Sequence, residues 1–365
     1  MRYFLLCVLL LFSLPASAEI IFSFSGPFSG DTAAYGEQIK AGAGLAVADL
    51  NAKGGLLGQK VIAKMEDDGC DAKQAVAVAN RVAAQNPRPA IMFGSLCSMA
   101  VIPTMEIYAE EQIVQFPFGT NDKITEPGIS SLFRITAPDH YQADMMAAHL
   151  AKSFQGKKIA LIHDKKVWGK GIIDAIEGKL DKKNFAKIET FAINAGERDF
   201  SVLVTKLKAE KFDAVAMGLF PIEAGGMMRQ ANDQGYQAQF FGFDALLTSE
   251  FWSVAGKAGN GIIFTGPRNP EYEPGGKELL ARFKAAGYKP ETYSYYVYAA
   301  VQAAAQAITR SNSVDFTKLS RTLHQGEFDT ILGKISFNKT GEVSAPMMRF
   351  YEWRDGKYRY ADLNS

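Results

Sequence analysis

Three short turns carry the residue types that could bind or transform a small molecule. Gly94-Ser95-Leu96-Cys97-Ser98 and Phe118-Gly119-Thr120-Asn121 each follow an apolar, β-rich run. Backbone N–H groups there, Gly119 included, together with the Ser98 and Thr120 hydroxyls, could hold a carboxylate without any cationic side chain. The third turn, Phe243-Asp244-Ala245, places an acid after an apolar run. Burying a carboxylate is costly unless something pairs with it, so Asp244 calls for a cation. Two hydroxyl-bearing turns and one carboxylate suit a molecule with both charges. The plainer alternatives are helix capping or turn formation by Ser98 and Thr120, and an N-cap role for Asp244. Tyr35, Trp168, Phe220 and the Tyr293-Ser294-Tyr295-Tyr296 cluster also stand near strand ends, where they form either apolar and cation–π walls or ordinary core.

The patterns of covalent and metal chemistry do not occur. There is no G-x-S-x-G elbow, Walker A loop or H-E-x-x-H, the local signatures of acyl transfer, phosphate cradling and zinc hydrolysis. His163 precedes Asp164 at a strand end, but no Ser or Cys partner is indicated. Asp67-Asp68-Gly69-Cys70-Asp71 lacks calcium-loop spacing and reads as a solvated turn. No metal site and no cofactor are expected.

The elements that must position these turns alternate between short β-rich runs and longer helical stretches. In the first series the strands are Ile20–Ser25, Lys60–Glu66, Ala90–Gly94 and Ile113–Phe118. Helices run from near Ala33 to before Gly54, over Asp71–Ala84, and onward from Ser98. A second series has strands over Lys158–His163, Lys187–Ile193, Ala214–Leu219, Phe240–Phe243 and Ile262–Gly266, interleaved with helices. Such alternation predicts parallel sheets covered by helices on both faces, and two series predict two α/β lobes. After Tyr272 come three helical stretches and two strand-like runs, Thr330–Phe337 and Met347–Trp353, which must pack back on the lobes.

The 365 residues exceed what one core usually supports, so two domains are expected. Residues 1–18 read as a cleaved leader: Arg2, an apolar run from Phe4 to Leu14, and the A-x-A site Ala16-Ser17-Ala18. Without them, 40 basic residues become 39 against 39 acidic ones, because Arg2 is their only charged residue. That balance, with no basic run, argues against a nucleic-acid partner. Of three cysteines, Cys70 and Cys97 remain, an even pair that points to a disulfide in an exported chain rather than two buried thiols.

Several segments, in order, are similar to the leucine/isoleucine/valine-binding protein family, the type I periplasmic substrate-binding proteins of ABC amino-acid transporters. They are Asn51-Ala52-Lys53-Gly54-Gly55, Asp67-Asp68 with Cys70, and Lys73 through Asn80. Ile162-His163-Asp164-Lys165, Gly196-Glu197-Arg198-Asp199-Phe200-Ser201 and Met228-Arg229-Gln230-Ala231 follow. Tyr298-Ala299-Ala300-Val301-Gln302 and Gly333-Lys334-Ile335-Ser336-Phe337 complete the set. The similarity runs from about Ile21 to Trp353.

The resemblance implies α/β architecture with two doubly wound parallel-sheet lobes joined by a three-segment hinge. Lobe 1 would be 19–138 plus 269–345, and lobe 2 139–268 plus 346–365. It implies a Cys70–Cys97 disulfide, ligand carboxylate at Ser98, Gly119 and Thr120, ligand ammonium at Asp244, and a cleft lined by Tyr35, Trp168, Phe220, Tyr295 and Phe118. Family members more often carry glutamate at the Asp244 position, tyrosine where Trp168 and Phe220 stand, and a small residue at Phe118. A bulkier cleft with a shorter acid leaves the side chain open, including small, aromatic or γ-amino ligands. The implied role is a periplasmic receptor that passes a free amino acid, branched-chain or otherwise apolar, to an ABC permease, and a monomer is the simplest expectation for such a shuttle. The alternatives are a ligand-binding sensor module, or an import receptor for a carboxylate without an amine.

Overall fold

The computed structural model describes residues 19–344 and 346–363; the expected leader, 1–18, lies outside the described residues. Four strands form the first sheet: β1 (Glu19–Gly26), β2 (Lys60–Asp67), β3 (Ile91–Phe93) and β4 (Val114–Phe116). They run parallel in the order β2-β1-β3-β4. Residues Ile20–Gly26 of β1 are all buried, as a central strand covered on both faces must be.

The second sheet takes β5 (Lys158–His163), β6 (Lys187–Ala192), β7 (Ala214–Gly218), β8 (Gln239–Gly242) and β9 (Ile263–Pro267), again parallel. The strands β10 (Glu327–Thr330) and β11 (Gly333–Ser336) pair as a separate hairpin. β12 (Met348–Arg354) and β13 (Lys357–Tyr360) then extend the second sheet antiparallel, giving β13-β12-β9-β8-β7-β5-β6. A mostly parallel sheet with antiparallel edge strands is common in this architecture.

In both sheets the strand order reverses, between β1 and β3 in one and between β5 and β7 in the other. Connections leave such neighbours toward opposite faces, so a crevice opens beyond the carboxyl ends of the strands. The helix Thr292–Ser311 packs along the helix Ala33–Ala52 of the first lobe, after β9 and before β12 of the second. The chain therefore crosses between lobes three times. No helix among the described residues is long and apolar enough to cross a membrane.

Two expectations are revised. The run Thr330–Phe337, read as one strand, is a hairpin that turns at Ile331–Leu332, and its first arm starts at Glu327. The helix expected from Ser98 is one turn, Ser98–Val101, then a 3₁₀ turn and Met105–Glu110. Pro103 interrupts it, having no N–H to continue the ladder.

Candidate functional site

The crevice begins with backbone. Gly94 follows β3 at φ +123°, and a Cβ on it would meet the Ser25 carbonyl of β1 at 2.1 Å. Only glycine fits there, and it lets the chain turn sharply into Ser95–Ser98. The Ser95 carbonyl then accepts the N–H groups of Phe118 and Gly119, both at 3.0 Å, stitching the second turn to the first. A Cβ on Gly119 would lie 3.0 Å from Ser98 Oγ, so the two turns touch. Asn121 N–H donates to Ser98 Oγ at 3.2 Å.

Behind these turns lies Arg134, fully buried. Its Nη1 donates to the carbonyls of Thr120 (3.0 Å) and Asn121 (2.7 Å), and its Nη2 to Thr125 Oγ1 (2.7 Å) and Glu342 (3.0 Å). One planar guanidinium with several fixed donors thus holds the turn. Sequence patterning had pointed to none of this, because a lone arginine carries no spacing signal.

A cavity joins the three turns. It is lined by Tyr35, Leu96, Cys97, Ser98 and Thr120 from the first lobe, Trp168, Phe220, Asp244 and Ala245 from the second, and Tyr293 from the helix Thr292–Ser311. Direct bonds cross it. Trp168 Nε1 donates to Thr120 Oγ1 (3.1 Å), Tyr35 Oη to the Ala245 carbonyl (2.8 Å), and Asn121 Nδ2 to the Val167 carbonyl (3.1 Å). Phe220 is edge-on to Tyr35 and packs at 5.2 Å against Trp168.

Asp244 is 5% exposed and has no cationic side chain among its hydrogen-bond partners. The Tyr293 hydroxyl donates to Oδ2, and Gln142 Nε2 donates to Oδ1 at 2.7 Å. The same Gln142 amide donates to Asp139 Oδ1 at 3.2 Å, while its Oε1 accepts from Thr265 Oγ1 and the Asp244 N–H. Burial raises the Asp244 pKa, against the lowering pull of the Tyr293 and Gln142 donors. Burial, then the charge of Asp244, lifts Asp139 well above the usual carboxylate range. A carboxylate supported by neutral donors keeps lone pairs for an incoming cation. Tyr293 is one of the tyrosine cluster, though the resemblance singles out Tyr295, and Gln142 is not among the expected site residues. The tyrosine cluster was the available signal for Tyr293, whereas nothing marked Gln142.

Three expected placements are corrected. Tyr295 packs edge-on against Phe283 in the core, because residues two apart on a helix lie about 200° apart around its axis; Tyr293 faces the cavity instead. Phe118 is buried in the apolar cluster that holds Phe116 and Phe133, and only its backbone serves the turn, its N–H donating to the Ser95 carbonyl and its carbonyl accepting from Thr136 Oγ1. The Gly119 N–H is committed to Ser95, so Gly119 contributes close approach rather than a donor. His163 lies outside the cavity lining and accepts the Lys165 N–H through Nδ1 at 3.0 Å.

Cys70 and Cys97 form a disulfide beside the first turn. With a separation of 27 residues, the loop-entropy model gives about 3–4 kcal/mol of stabilisation. Thiol reduction is expected to lower the urea midpoint accordingly, measured by circular dichroism with and without reductant; a midpoint moved by less than 1 kcal/mol equivalent contradicts it.

The model of the family described as periplasmic binding protein matches residues 20–357. An amino acid binding protein of Pseudomonas aeruginosa is 36% identical over 347 residues, 94% of this chain and 92% of that protein. A Leu/Ile/Val-binding protein homolog 2 of Brucella abortus is 36% identical over 360 residues, 97% and 96% of the two chains. The crystal structure of a leucine-binding protein of Thermotoga maritima superposes with a TM-score of 0.85 at 20% identity, covering 94% of this chain and 98% of that one. With the match running through both sheets and every turn of the crevice, the chain belongs to the periplasmic binding protein family.

Proposed function

We propose that this protein is the substrate-binding component of an ABC amino-acid import system, closing its two lobes on a free amino acid. The observation that carries the reading is Asp244: a buried carboxylate held by neutral donors, across a cavity from the Ser98 and Thr120 hydroxyls. An ammonium group would complete Asp244, while Ser98 and Thr120 would meet the ligand carboxylate. Groups on both lobes then contact one ligand, so binding favours the closed arrangement through its differential contacts. No covalent step is involved. Sheet membership supports lobes of 19–138 plus 269–345 and 139–268 plus 346–365. The disulfide supports work in an oxidising compartment outside the cytoplasm.

The test is thermal unfolding of refolded protein in the presence of free amino acids. At least one amino acid at a hundredfold excess over its Kd should stabilise the protein by about 2.7 kcal/mol. No stabilisation by any amino acid would overturn the reading, and stabilisation by aromatic carboxylates alone would favour the receptor for amine-free acids.

The raised pKa of Asp244 sets a pH dependence. Only the ionised carboxylate attracts an ammonium, so affinity should fall as pH drops through that raised pKa, above the usual carboxylate value of about 4. Tyr293→Phe removes a donor that stabilises the ionised form. It should move the affinity midpoint to higher pH, as measured by titrations across a pH series. An unshifted midpoint contradicts the role given to Tyr293.

A further inference from the structure

We infer that this cleft selects small, unbranched amino acids over leucine and isoleucine, with Trp168 setting the limit. The inference rests on the amino-acid reading and names the substrate class. With the lobes in their present contact, the cleft leaves only about 20 Å³ free, little more than the roughly 10–15 Å³ one water needs.

The rings that narrow it are not free to rotate away. Trp168 is tied to Thr120, Tyr35 to Ala245, and Tyr293 to Asp244, while Phe220 is wedged between Tyr35 and Trp168. Trp168 also belongs to the second lobe's apolar cluster with Ile172, Ile173 and Phe243, so displacing it disturbs a core. Each added carbon must therefore be accommodated by separating the lobes, which loosens the bonds crossing the cleft.

The hollow beyond Phe220 mixes apolar Met99 and Ile222 with the charged Asp164, Lys166 and Glu223, so it is no continuous apolar wall for an aliphatic side chain. Its lining includes Asp164 and Glu223, both buried. Hydrocarbon placed against these groups gains less than it would against an apolar wall. A methyl group or a short unbranched chain demands the least lobe separation and does not reach the hollow.

The experiment is calorimetric titration of the refolded wild-type chain and Trp168→Tyr with glycine, alanine, 4-aminobutyrate, valine, leucine and isoleucine. One methylene-sized difference in an apolar pocket commands about 10–200-fold. The wild type should therefore bind its best small ligand at least tenfold more tightly than leucine. Trp168→Tyr should narrow that ratio by about tenfold or more. Leucine or isoleucine binding as tightly as the small ligands in the wild type overturns the size limit while leaving the amino-acid reading intact. A small-ligand preference that Trp168→Tyr leaves unchanged removes Trp168 as its determinant. Binding of none of the six removes the size inference, and the thermal panel over all amino acids then decides separately whether the broader reading fails too.

Discussion

Asp244→Asn is expected to weaken amino-acid binding by about 30- to 5000-fold, corresponding to the 2–5 kcal/mol lost when one partner of a buried charged pair is removed. The asparagine keeps the shape: its oxygen can accept from Gln142 and its amide can donate to the Tyr293 hydroxyl. What disappears is the negative charge. Stability should move the other way. A carboxyl whose native pKa is raised holds its proton more tightly folded than unfolded. Its ionisation therefore subtracts stability as pH rises from the usual carboxylate value through the raised one. At neutral pH the wild type carries that cost and Asp244→Asn does not, so the variant should melt at or above wild type while losing affinity. Calorimetry and thermal melting on the same preparations check both halves. Unchanged affinity would remove Asp244 from the site, and a strongly lowered melting point would make its role structural.

Arg134→Met is expected to cost about 3 kcal/mol of stability, at the low end of the 3–5 kcal/mol found when one member of a buried ion pair is deleted. The low end applies because the Glu342 side chain is 24% exposed and retains some hydration. The loss takes the Arg134 donor from the Thr125 hydroxyl and from the Thr120 and Asn121 carbonyls, which keep only the backbone N–H groups of Asp139 and Ile124. Since those carbonyls belong to the turn that carries Thr120 into the cleft, affinity should fall along with stability. Arg134→Lys keeps the charge but not the planar fork, so it should recover only part of either. Urea unfolding gives the stability change; a loss below 1 kcal/mol would contradict the account of Arg134 as the support of this turn.

Much of the architecture was legible because alternating β-rich and helical runs repeat without interruption. The strand Lys158–His163 has the same bounds in sequence and structure. The turns holding Ser98, Thr120 and Asp244 were also legible, since each follows an apolar strand and parallel strands present their carboxyl ends to one crevice. Legibility failed where facing mattered. Tyr293 and Tyr295 have the same composition signal, and only the packing of the helix Thr292–Ser311 against its neighbours decides which one faces the cavity. It failed again for Gln142 and Arg134, whose partners lie up to 123 and 208 positions away in the chain. The break after Ser98 was written in Pro103.

On the proposed two-sided clamp both ligand charges are required, one for each side of the cleft. That requirement is tested most directly by calorimetric titration of refolded protein with the best-binding amino acid, its des-amino acid and its decarboxylated amine. The amino acid alone should bind tightly, with both single-charge analogues weakened by about 30-fold or more. Equal binding of the des-amino acid would mean that Asp244 does not meet an ammonium, and equal binding of the amine would mean that Ser98 and Thr120 do not hold a carboxylate.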